Sequence, residues 1–124
     1  MSRHVTIVLG TVALLSAASA AAAQNAPPTY DADPSVYKII LEDENFRVIE
    51  AIRKPGVHDK VHSHPVPSVV IELSDCTGKL YNADGTTRVN NNKAGAVAAV
   101  PIIASHSAEN IGTTDCDEIF VERK

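Results

Sequence analysis

Between Val36 and Lys124, no window of about ten residues or more repeats its apolar residues at the helical period. That constrains the fold more than any other feature. The stretch holds short runs of β-prone residues divided by turn residues, the pattern of a sandwich or small barrel. Phe46 to Ile52, Val69 to Leu73, Ala96 to Val100 and Glu118 to Val121 read as strands. Val61 to His64, Lys79 to Asn82, Thr86 to Val89 and His106 to Asn110 read as shorter ones. Tyr37 to Leu41 fits a lead-in strand or one helical turn. Ala83-Asp84-Gly85 suits a hairpin, and Asn90 to Gly95 forms a second turn. The class is all-β. Within strands, a solvent-facing Glu72 turns Val69, Ile71 and Leu73 inward, and solvent-facing Glu118 and Glu122 do the same for Ile119 and Val121. The interior expected on this basis is apolar, with Glu72 unsuited as a ligand.

Two histidine motifs stand inside this pattern. Gly56 is followed by five residues and then His62-Ser63-His64. Gly95, Pro101, His106 and Asn110 form the second, reading G-x5-P-x4-H-x3-N. Residues two apart on a strand share a face, so His62 and His64 can aim at one point. A third imidazole from a distant strand completes a nitrogen cradle for a divalent metal. Pro101 cannot donate to a ladder and ends the strand before His106.

Together the two halves resemble the cupin superfamily, whose signatures are G-x5-H-x-H-x3,4-E-x6-G and G-x5-P-x-G-x2-H-x3-N. The first half matches at Gly56, His62 and His64, the second at Gly95, Pro101, His106 and Asn110. Val36 to Glu42 and His106 to Gly112 look like a group of small single-domain, cupin 2-like proteins. The resemblance covers Val36 to Lys124. It implies a cupin-type jelly-roll β-barrel (an RmlC-like double-stranded β-helix) with His62, His64 and His106 as metal ligands. There are two departures. The family's glutamate ligand should fall at Ser68 or Val69, and Ile103 stands where a glycine is expected. Val69 would approach the metal in the glutamate's place. Cupins include three-histidine sites without the carboxylate, so a divalent transition metal (iron, manganese, zinc, nickel or copper) remains the implied cofactor. The alternative is a degenerate cupin whose histidines only pack near the barrel mouth.

Other residues near these motifs receive lesser roles. His58 falls in the loop after Gly56 and reads as solvent-exposed, with an auxiliary ligand role as the lesser option. Asn110 suits closing a turn through side-chain hydrogen bonds. Glu109 is assigned no role, and Ser68 lacks a nearby base to make it a nucleophile.

Cys76 and Cys116 are the only thiols. In an exported chain an even pair reads first as a disulfide. In a jelly roll the strand ending near Cys76 runs antiparallel to the one starting near Cys116, and shared parity with Glu72 and Glu118 puts both thiols on the outer face. The bridge would close a loop of about forty residues, worth ~4 kcal/mol by chain entropy. Two separate thiols or a redox-active pair are the alternatives, the latter without the C-x-x-C form.

The chain opens with Arg3 and His4, an apolar run from Val5 to Leu15, and an alanine tract ending at Ala21-Ala22-Ala23. This reads as a signal peptide over 1–23, cleaved before Gln24, rather than a span, since the apolar run is too short to cross a bilayer. Residues 24–35, with Pro27, Pro28 and Pro34, read as a flexible arm or edge tether, and 36–124 as one domain. The expected location is periplasmic or secreted. The formal net charge of −4 gives no basic surface for nucleic acid or an anionic membrane. Three tyrosines and two phenylalanines offer no stacking platform.

Two functions compete. One is an exported metallo-cupin with oxygenase- or isomerase-type activity on a small organic molecule. The other is a non-catalytic cupin holding a small ligand at a degenerate site. No catalytic residue is assigned, a second polar residue pointing into the barrel would favour the enzyme, and a homodimer is compatible with either.

Overall fold

The structure, a computed structural model, describes residues 25–124. The expected signal peptide therefore lies outside the described residues. A short helix α1 (Thr29–Ala32) precedes nine strands: β1 (Tyr37–Glu42), β2 (Phe46–Arg53), β3 (His62–His64), β4 (Ser68–Glu72), β5 (Cys76–Asn82), β6 (Thr87–Asn92), β7 (Val97–Val100), β8 (Ile103–Asn110) and β9 (Cys116–Arg123). They form a five-stranded sheet in the order β1-β2-β9-β4-β7 and a four-stranded sheet in the order β3-β8-β5-β6. The chain is all-β, as its runs of alternating residues imply.

Tyr37 to Glu42 resolves as an edge strand, not a helical turn, with a bulge between Ile39 and Leu41 that leaves Ile40 without a cross-strand partner. The second expected turn is shorter than the sequence implies. Asn90 to Asn92 continue β6, with Asn91 and Asn92 finding side-chain partners in Thr77 on the paired strand β5 and in Glu72 on β4 of the other sheet. Gly95 adopts φ +85°, and Gly56 at the first motif adopts φ +80°, left-handed conformations that glycine takes without steric cost. Residues 25–35 lie against β3, tied by Ser63 N–H to the Pro27 carbonyl (2.8 Å) and Ala26 N–H to the Ala104 carbonyl (3.0 Å).

The inward and outward faces of the five-stranded sheet are the reverse of expectation. Ser68, Val70 and Glu72 of β4 are buried, as are Cys116, Glu118, Phe120 and Glu122 of β9. Val69 and Leu73 are exposed at 42% and 49%, and Ile71, Ile119 and Val121 are half-buried on the outer face. The physical reason is that each inward acid has a partner the alternation cannot reveal. Arg53 holds Glu118, Arg47 lies 3.4 Å from Glu122, and the Asn92 amide donates to Glu72 at 2.6 Å. Buried charges persist where they are paired.

The apolar core is correspondingly small: Val36, Tyr37, Ile49, Ala51, Val70 and Phe120. On the outer face, Leu41, Val48, Val121, Val69 and Ala99 stand side by side across all five strands.

Cys76 and Cys116 sit at disulfide distance, with Cα atoms 4.9 Å apart. The pair is interior, not on the outer face, because Cys76 opens β5 in one sheet and Cys116 opens β9 in the other, so the link crosses between sheets.

Candidate metal centre

β3 pairs antiparallel with β8, placing His62 directly opposite His106 and His64 opposite Ile103. Both histidines of β3 therefore face the interior beside His106. A ligand nitrogen from each of the three lies within 4.8 Å of the others. All three residues are buried, and Nε2 of His64 is 3.0 Å from Nε2 of His106. Two nitrogens bound cis at ~2.1 Å from one ion would stand about 3.0 Å apart, so this spacing suits a shared metal. The His64 ring also lies beside Phe120, centroids 5.4 Å apart.

The tautomer of His62 can be read from its neighbours. Its Nδ1–H donates to the Lys60 carbonyl at 2.8 Å, which in the neutral ring leaves the lone pair on Nε2. The Tyr37 hydroxyl is 3.5 Å from that Nε2, but its proton goes to Asp59 Oδ2 at 2.7 Å. The Nε2 lone pair is left facing the cluster with no proton donor of its own. This carbonyl–imidazole arrangement is what orients a ligating histidine. His64 differs, since its Nδ1 is buried with no hydrogen-bond partner.

Burial favours the neutral rings. It lowers His64 to about 3, with help from neighbouring His106 and His62. It lowers His106 to about 4, with His62 adding to the effect. His62 is also lowered by burial, against the pull of Asp59. Neutral imidazoles are the form a metal requires.

Beneath the histidines runs a buried charge network that sequence reasoning missed. Arg53 Nε donates to Asp59 Oδ2 at 2.9 Å, and its Nη2 donates to Glu118 Oε2 at 3.0 Å and Tyr37 Oη at 3.3 Å. Asp59 Oδ1 accepts the Ala108 N–H at 2.7 Å. The signal for Glu118 was present in the cysteines: a bridge between sheets makes Cys116 interior, and Glu118 shares its face. Tyr37 and Arg53 carried no such signal.

A cavity of about 390 Å³ opens over this centre. The three histidines, Arg53, Glu118 and Glu72 line it, with Val70, Phe120 and Leu80 among its apolar walls. The apolar lining expected from Val69, Ile71, Leu73, Ile119 and Val121 is thus replaced by a mixed one. Val70, not Val69, faces the cavity. Of Ser68 and Val69, the two positions at which the cupin resemblance places a glutamate, Ser68 is the one that points inward, its hydroxyl buried without a partner. Glu72 is 6% exposed, and burial raises its carboxyl to about 7, with Glu118 reinforcing the rise.

His58 stays outside the cluster. It is exposed, within 2.8 Å of Ser107 Oγ, and stacked on Tyr81 at 4.5 Å. Glu109 accepts from the Tyr81 hydroxyl. Asn110 is fully buried and closes the loop before β9, its amide donating to the Arg53 and Thr114 carbonyls while its oxygen accepts the Gly112 N–H.

No family model matches the chain, and no curated protein matches it. Solved structures do. The cupin domain from Bordetella pertussis Tohama I superposes with a TM-score of 0.66 at 19% identity, covering 82% of this chain and 99% of that one. An RmlC-like cupin family protein with a double-stranded β-helix fold from Methanocaldococcus jannaschii gives 0.58 at 17% identity, covering 71% and 78%. A protein with a double-stranded β-helix domain from Klebsiella pneumoniae gives 0.57 at 22% identity, covering 71% and 75%. At these identities the likeness is one of fold.

Proposed function

We propose that this chain, which has the cupin double-stranded β-helix fold, is an exported protein that holds a divalent transition metal through His62, His64 and His106 and a small organic molecule beside it. The observation that carries the reading is the clustering of a ring nitrogen from each of three buried histidines within 4.8 Å of one another, and burial favours their neutral, ligating form. Charge balance supports it. Asp59, Glu118 and Glu72 lie in or under the cavity wall with Arg53 as the one buried cation among them, a deficit that a divalent ion meets.

Three neutral ligands leave a bound metal its full charge and open positions for water or a ligand, the condition for oxygenase- or isomerase-type chemistry. The chain's own residues hold the ligand rings in place, exclude water with Phe120 and Val70, and present Glu72 to whatever occupies the cavity. Glu72, on the cavity wall and outside the histidine cluster, is suited to accept a proton. That polar residue favours the enzyme over the purely binding cupin.

The cysteine pair supports export, since disulfides persist in oxidising compartments. No helix among the described residues is long and apolar enough to cross a membrane. The apolar outer sheet face supports association into a homodimer. Metal analysis of protein purified from its native compartment tests the reading. About one metal per chain is expected for the wild type and none for His64→Ala. A wild type that carries no metal and gains none from iron, manganese, zinc, nickel or copper would overturn it.

A further inference from the structure

Among the described cavity residues outside the histidine cluster, Glu72 has a buried side-chain oxygen without a hydrogen-bond partner. Its side chain lines the cavity and is more than nine-tenths buried. Oε1 accepts from the Asn92 amide at 2.6 Å, while Oε2 is buried and has no partner. The adjacent acid cannot supply a proton, because both oxygens of Glu118 face Arg53, at 3.3 Å and 3.0 Å. An ionised carboxylate only accepts, so the group that completes Glu72 must donate. Glu72 also stands outside the histidine cluster, so it marks a second point of contact in the same cavity.

We infer that the cavity takes a small hydroxy acid, its carboxylate directed at the metal and its hydroxyl donating to Oε2 of Glu72. The inference rests on the metal reading above. Charge selects this class over an amine. Once a divalent ion has balanced Asp59, Glu118 and Glu72 together with the buried Arg53, the exposed Arg88 on the cavity lining remains as one further cation. A singly charged acid restores balance, and a neutral hydroxyl satisfies Glu72 without adding a cation. The metal in turn favours the ionised form of Glu72.

The test uses the full mature protein loaded with cobalt, whose visible spectrum reports ligands entering its coordination sphere. The probes are 3-hydroxypropanoate, 4-hydroxybutanoate and 5-hydroxypentanoate, each against its unhydroxylated parent. At least one hydroxy acid should bind about 10-fold more tightly than its parent, as a hydrogen bond to a charged acceptor implies. Glu72→Leu should abolish that gain and Glu72→Gln should reduce it, with cobalt content unchanged in both. Equal binding within every pair, or a gain that survives in Glu72→Leu, overturns the hydroxy-acid assignment alone. Failure of the wild type to load cobalt or any of the other metals overturns the metal reading and this inference with it.

Discussion

Glu72 and Glu118 are direct cross-strand partners on β4 and β9, and both carboxylates face the cavity. Like charges so placed repel, and only Glu118 has an arginine to hold it. Burial above all, reinforced by Glu118, keeps a proton on Glu72 in the folded metal-free protein up to about pH 7, whereas the unfolded chain releases it at the ordinary carboxylate value. The folded state binds the extra proton between those values, so its stability falls as pH rises through that window. Glu72→Gln should stabilise the metal-free protein at pH 8 by on the order of 2 kcal/mol and do little at pH 5. Urea unfolding at the two pH values checks this, and an equal effect at both would contradict it.

The histidines titrate in the opposite sense. Their folded values are depressed, to about 3 for His64 and about 4 for His106, so the unfolded chain takes up protons first as pH falls below ~6.5. Their contribution is fully present above that value and is lost as pH drops toward 4 and 3. The metal-free wild type should show a steeper loss of stability between pH 6.5 and 4 than His64→Asn. Adding metal at 100 times its dissociation constant should restore about 2.7 kcal/mol in the wild type only. His58→Ala should leave metal content near the wild-type level.

Arg53 holds two carboxylates that have no other cation near them. Arg53→Met should cost about 3–5 kcal/mol by leaving Asp59 and Glu118 buried and unpaired. The double variant Arg53→Met/Glu118→Gln should recover part of that loss in thermal melts. No recovery would mean that Arg53 acts chiefly through packing.

Export and the cysteine pair are read in one mass measurement. The mature protein should begin at Gln24, two hydrogens lighter than its reduced form, and should resist alkylation until reduced. Replacing both Cys76 and Cys116 by alanine should cost about 2–5 kcal/mol. A mature protein that still carries Val5 to Leu15 would defeat the export reading.

The outer face of the five-stranded sheet should associate two copies. Leu41, Val69, Leu73 and Val97 are exposed on it at 42–65%, beside half-buried Ile71, Ile119 and Val121. Soluble monomers seldom leave so continuous an apolar face. Sedimentation velocity should show a dimer for the wild type and a monomer for Val69→Lys/Val97→Lys. A monomeric wild type at micromolar concentration would refute it.

Local chemistry in the sequence determined the strands, the hairpin at Asp84-Gly85, and the common face of His62 and His64. Alternation settles which side chains travel together, and a two-residue period needs no distant partner. The sequence also grouped Glu118 with Cys116 and Glu122, and Glu72 with Val70. Which group faces inward was decided only by the tertiary structure. Alternation is symmetric between the two faces of a strand, and solvent is the default place for an acid. Here the default is overturned by Arg53, Arg47 and Asn92, which reach Glu118, Glu122 and Glu72 from 65, 75 and 20 residues away. Those pairings exist only after the sheets close, and they place Glu118 and Glu72 in the cavity with the histidines and Glu122 in the interior beside Arg47, rather than in water.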